Sequence, residues 1–125
     1  MAEYKIIILD DDDDVRLNLQ IYFEDEGYEC KSFEDAKSAL EFIEENKYDA
    51  GIIDLRLPLM TGEEFIYQAQ KINPNMKFII YTGSTDYQIS DELIEKGITQ
   101  SEVFHKPVKS MDIFVKKIRD MLENR

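Results

Sequence analysis

The sequence has 125 residues, enough for one hydrophobic core and too few for two. Hydrophobic residues make up 43% and aromatics 11%, with no low-complexity tract, which excludes a disordered chain. Lys and Arg number 15 against 27 Asp and Glu, a net charge of −12 concentrated in residues 1–64, which argues against a polyanionic partner and for a cation.

In chain order, Tyr4 to Leu9 is a short continuous apolar run, the pattern of a strand buried on both faces. Val15, Leu19, Tyr22 and Phe23 then recur at helical spacing, and Gly27 stands where a helix end wants a left-handed residue. Tyr28 to Phe33 reads as a second strand. Ala36, Ala39, Leu40 and Ile43 form the stripe of a second helix, closed by Asn46-Lys47. Ala50 to Leu55 is a third strand, and Phe65, Ala69 and Ile72 mark a third helix stopped by Asn73-Pro74. Lys77 to Tyr81 is strand four. A weaker helix over 86–97 places Ile89 and Leu93 inward, Glu102 to His105 is a short fifth strand, and Met111, Phe114, Val115, Ile118 and Leu122 face the last helix inward. Five β-then-α units in succession predict a doubly wound α/β domain around a parallel sheet. The apolar runs are too short to cross a bilayer, no secretory leader opens the chain, and the lone Cys30 can form no internal disulfide. The expectation is one domain over residues 1–125, with no output domain, in the cytoplasm, with no membrane insertion and no direct nucleic-acid binding.

Ligands of open parallel sheets bind beyond the carboxyl ends of the strands. The residues there are Asp10 to Asp14 after strand one, Asp54 after strand three, Thr82-Gly83 after strand four and Lys106-Pro107 after strand five. Each has an ordinary reading. A run of Asp suits a helix N-terminus, Asp54 suits a helix cap, and Thr82 and Lys106 suit the surface. Together they bring carboxylates, a hydroxyl and an ammonium to one edge. Crowded carboxylates repel unless a cation neutralises them, and their hard oxygens suit Mg²⁺.

The segments Ile-Ile-Ile-Leu-Asp10-Asp11-Asp12, Ile-Ile-Asp54-Leu-Arg-Leu-Pro58-Leu-Met-Thr-Gly62, Tyr-Thr82-Gly83 and His-Lys106-Pro107 resemble, in order and over the whole chain, the receiver domain of bacterial response regulators. The resemblance implies a flavodoxin-like (βα)5 fold with strand order 2-1-3-4-5. It implies a phosphoacceptor switch that takes a phosphoryl group from a sensor histidine kinase or phosphotransfer protein onto Asp54. Its only chemistry would be autocatalysed transfer and slow self-dephosphorylation, so the resemblance implies no enzyme in the ordinary sense. Asp11 would bind Mg²⁺ directly and Asp10 through water, with Asp54 and the backbone carbonyl of Arg56 as further ligands. Thr82 would bond a phosphoryl oxygen, and Lys106 would pair with the phosphoryl group or with free Asp54. Pro58 and Gly62 would shape the loop, and the Lys106-Pro107 bond is a candidate cis peptide. The face of the fourth helix, fifth strand and fifth helix would control an unknown downstream protein.

The sequence also departs from that family. Its usual aromatic three residues before the lysine is Val103 here, with Phe104 next, and the stretch between Gly97 and Lys106 is slightly longer. The longer 98–102 segment is therefore expected to carry the output as a backbone shift. Arg56 and Ser84 flank the phosphoryl position and should tune its lifetime. Asp12, Asp13 and Asp14 read as helix-start charges, His105 as structural and Cys30 as a small core residue. A haloacid-dehalogenase-like phosphatase is the enzymatic alternative, but that class needs an acid where Arg56 stands. A nucleotide or flavin carrier would want glycines or hydroxyls where the aspartates are. A degenerate receiver used only as a scaffold is the third alternative.

Overall fold

The computed structural model describes residues 4–123; residues 1–3 and 124–125, the ends of the expected domain, lie outside the described residues. Strands β1 (Lys5–Leu9), β2 (Glu29–Phe33), β3 (Ala50–Ile53), β4 (Lys77–Thr82) and β5 (Val103–His105) alternate with helices α1 (Asp13–Asp25), α2 (Ala36–Glu45), α3 (Gly62–Ile72), α4 (Asp91–Glu95) and α5 (Asp112–Glu123). All neighbouring strands pair in parallel, in the order β2-β1-β3-β4-β5. The register sets Leu9 beside Ile53 and Ile53 beside Ile80. β1 and β3 therefore end level, and β4 runs two residues further to Thr82 at the same edge.

Each strand splits the core by its twofold side-chain alternation. Ile7, Leu9, Ile53, Phe78 and Ile80 pack with α2, α3 and α4, whereas Ile6, Ile8, Ile52, Ile79 and Tyr81 pack with α1 and α5. Cys30 is buried in the second layer, and burial pushes its thiol up to about 12, so it behaves as a small apolar residue. Asp12 caps α1, its side chain accepting from the amides of Asp14 and Val15, with Asp13 and Asp14 in the first turn. These three acids are helix-start charges, as their position suggested.

Element ends differ from the sequence reading at several places. The third strand stops at Ile53, so Asp54 is the first residue beyond it, and Thr61, not Asp54, caps the helix that follows. The fourth helix is much shorter than 86–97. Ser90 caps it by accepting from Leu93 N, and the apolar Ile89 lies before that cap. Glu102 belongs to a 3-10 turn (Gln100–Glu102) rather than to β5. That turn takes up the extra length of the segment. Thr99 and Glu102 close it as a capping box, and Glu102 is tied to α5 by Lys117 at 3.0 Å. Val103 and Phe104 lie on opposite faces of the sheet. Val103 packs with the α2–α4 layer, while Phe104 sits edge-on to Phe114 of α5, with ring centroids 5.3 Å apart.

Candidate functional site

Three strand ends build the site. Asp54 follows β3, where its amide bonds Leu9 O at 2.8 Å, and Asp10 follows β1, where its amide bonds Phe33 O at 3.1 Å. These backbone bonds extend the sheet by one residue and hold both carboxylates at its edge. Both are nearly inaccessible, Asp10 at 2% and Asp54 at 6% exposure, whereas Asp11 is exposed. Ionised carboxylates are buried only when paired. The pairing comes from Lys106, whose Nζ lies 2.8 Å from Asp10 Oδ2 and 3.5 Å from Asp54 Oδ2. The Lys106-Pro107 peptide is cis, as expected, and Lys106 N donates to Thr82 O at 2.8 Å, which fixes the start of the lysine's reach.

The remaining polar groups are also accounted for. Asp10 Oδ1 accepts from Asp12 N at 2.9 Å, and Arg16 Nη1 donates to Asp10 O at 2.8 Å. Arg56 N lies 3.5 Å from Asp54 Oδ1. Thr82, fully buried at the end of β4, accepts from Ser84 N at 3.0 Å. The loop after Asp54 returns so closely that a Cβ on Gly62 would fall 2.2 Å from Asp54 O, which excludes any side chain there. Pro58, Leu59 and Met60 form a tight turn, with Met60 N bonded to Pro58 O at 2.8 Å, Leu59 at φ 69° and its side chain wholly exposed.

Burial pushes the Asp54 carboxyl up, and the neighbouring Asp10 charge pushes the same way, against the opposing pull of Lys106 and the Arg56 amide. Burial works against the Lys106 ammonium, but Asp10 and Asp54 together outweigh it and raise its pKa. One lysine thus leaves the three-acid set short of positive charge. Oxygens of Asp10, Asp11 and Asp54 lie within 4.8 Å of one another. Ligands around one Mg²⁺ at about 2.1 Å span a similar range, so the hard-oxygen set fits that ion.

The structure therefore brings together Asp10, Asp11, Asp54 and Lys106, with Thr82 joined to Lys106 through the backbone. His105, exposed, contacts Ser84 O through Nδ1 at 3.2 Å and is remote from the acid set in its bonding. Two contributors escaped the sequence reading. Arg16, six residues beyond Asp10, anchors the acidic loop by its backbone. Tyr87 donates its hydroxyl to Glu63 Oε2 at 2.5 Å, joining the segment after Thr82 to the helix after Asp54.

Residues 6–119 match the family model described as the response regulator receiver domain. The chain is 28% identical over 118 residues to "Response regulator receiver protein CpdR" of Brucella abortus, covering 94% of this chain and 96% of that protein. It is 29% identical over 97 residues to "Sporulation initiation phosphotransferase F" of Bacillus subtilis, covering 78% of each. Other curated relatives are longer, and the chain spans 43% of one of them. Among solved structures, a Francisella response regulator receiver domain superposes with a TM-score of 0.81 at 27% identity, covering 98% of both chains.

Proposed function

This chain belongs to the response regulator receiver family, the signalling modules of two-component systems, and on that premise we propose that it is a Mg²⁺-dependent phosphoacceptor switch with Asp54 as the nucleophile. The observation that carries the reading is the Lys106 ammonium set between the buried carboxylates of Asp10 and Asp54. A pair of acids held at a strand edge and only partly neutralised is prepared for a divalent cation and for an incoming phosphoryl group.

An Asp54 carboxylate oxygen attacks phosphorus of a phosphohistidine on a sensor histidine kinase or phosphotransfer protein. The P–N bond breaks, the electron pair leaves with the imidazole, and an acyl phosphate forms on Asp54. Phosphoryl transfer needs positioning and charge stabilisation more than covalent assistance. Lys106 offers its ammonium to the phosphoryl oxygens, and Thr82 offers its hydroxyl from the end of β4. Asp10, Asp11, Asp54 and the Arg56 carbonyl would hold Mg²⁺, which supplies further neutralisation of charge on the transferring group. Arg56, two residues past the nucleophile, holds its guanidinium protons too tightly to serve a leaving group, unlike the acid of a haloacid-dehalogenase-like phosphatase. The name of the Bacillus relative, a phosphotransferase, supports a role in receiving and passing on phosphoryl groups.

Acetyl phosphate with Mg²⁺ should add one base-labile phosphoryl group, seen by intact mass, and Asp54→Asn should abolish it. Equal labelling of the variant would place the nucleophile elsewhere and overturn the assignment.

A further inference from the structure

The segment from Gly83 to Ile89 has no helix or strand to hold it, because α4 begins only after Ser90. Three of its hydrogen bonds run to its own flank: Ser84 N to Thr82 Oγ1, Ser84 O to His105, and Ile89 N to Gln100 Oε1. One crosses to the acceptor side. Tyr87 Oη donates to Glu63 Oε2 at 2.5 Å across 24 residues of sequence. Its ring packs against the core layer that contains Phe65 and Ile80, together with Leu55 and Val103. Burial and the bond to the Glu63 carboxylate both raise the phenol's pKa, so the proton stays on the tyrosine. Glu63 lies in the first turn of α3, the helix whose start is clamped against Asp54 by Gly62. Tyr87, Glu63, Arg56 and Ser84 border one cleft of about 400 Å³, also lined by Leu55 and Thr61.

We propose that Tyr87 is a positioning residue of the phosphotransfer site: its bond to Glu63 holds the Ser84–Tyr87 segment against the loop that carries Asp54. The inference rests on the phosphoacceptor reading above. Thr82 is held by β4, buried and bonded through its carbonyl to Lys106 N, but the chain from Ser84 onward lies beyond the strand and would otherwise swing away from Asp54. Ser84 N donates to Thr82 Oγ1 at 3.0 Å, so a drift of Ser84 changes how the Thr82 hydroxyl is aimed, and displacements near 1 Å are costly to rate. Tyr87 touches no reacting atom and acts only by fixing where Ser84 stands and, through the Ser84 amide, how Thr82 Oγ1 is aimed. The core contacts anchor the ring, and the Glu63 bond gives it a direction.

The test measures labelling by acetyl phosphate with Mg²⁺ over a range of donor concentrations. Tyr87→Phe keeps the ring and should lower the maximal rate by about 10-fold, with donor half-saturation and thermal midpoint unchanged. Glu63→Gln still accepts the hydrogen bond and should label like the parent, while Glu63→Ala should match Tyr87→Phe. The double variant Tyr87→Phe/Glu63→Ala should be no slower than either single change, since both remove one bond. The amide resonances of Thr82 and Ser84 should shift in Tyr87→Phe. A wild-type rate in Tyr87→Phe, an equal loss in Glu63→Gln and Glu63→Ala, or additive losses in the double variant would overturn the proposal. A parent chain that takes no label, or one whose label survives Asp54→Asn, would overturn the phosphoacceptor reading and this inference with it. Labelling that depends on Asp54 but ignores Tyr87 would overturn this inference alone.

Discussion

Asp54 sits in an environment that disfavours its own charge. Burial and the Asp10 carboxylate raise its pKa, and Lys106 offsets only part of that. A carboxyl whose folded pKa lies above its unfolded value contributes stability below the unfolded pKa and loses it as pH rises through the folded one. Asp54 is therefore a source of neutral-pH instability in metal-free protein. Asp54→Asn should melt higher than the parent at pH 7 without Mg²⁺, and the gap should close at pH 4. Melting curves across that range check it, and a variant that melts lower at pH 7 would contradict the charge assignment. Glu102 shows the opposite sign. Burial alone would raise its pKa, but hydrogen bonds from Ser101, Thr99 and Lys117 hold it below the usual range. Its stabilisation is present above the unfolded pKa and is lost as pH falls through the lowered one. Acid thus loosens the 3-10 turn ahead of β5 while relieving the strain at Asp54.

Helix α1 links the site to the surface. It starts at the Asp12 cap, worth about 1 kcal/mol by its kind, and leaves Leu17 at 57% and Ile21 at 48% exposure. The two are one turn apart on one face, an apolar pair beside an acidic loop that, on the phosphoacceptor proposal, meets a phosphohistidine. Leu17→Glu with Ile21→Glu should slow transfer from a phosphohistidine protein by about 10-fold, at a cost of 1.4 kcal/mol in the encounter, and leave acetyl phosphate labelling unchanged. Equal rates with both donors would remove α1 from the docking surface. Elements of this kind differ in how plainly the sequence announces them. β1, β3 and β4 are legible because strands buried on both faces are written as unbroken apolar runs, and their ends then locate Asp10, Asp54 and Thr82. The start of α4 was not legible, because Ile89 continues the helical period although Ser90 caps the helix. Nor were the Arg16 anchor and the Tyr87–Glu63 bond. Each depends on where two loops cross in space, and no local spacing encodes that crossing.

At the scale of the molecule, the acidic half supplies β1, β3 and the carboxylates, and the near-neutral half supplies Lys106. The charges that meet at the site thus come from distant parts of the chain, and the parallel pairing of β1, β3, β4 and β5 brings them to one edge. Among the described residues, no helix is long and apolar enough to cross a membrane. The last strand of that sheet has only three residues, half-buried or exposed, and its neighbour α4 has five. By contrast, all four residues of β3 are buried. Protection against solvent exchange follows the same gradient, because local opening is easiest where few apolar contacts must break. In deuterated buffer the amides of β5 and α4 should exchange first and those of β1 and β3 last. Uniform exchange would show a single cooperative unit. A graded order would mean that the edge of the sheet nearest Lys106 opens at a fraction of the free energy of global unfolding, so that this corner is already an ensemble before any phosphoryl group arrives.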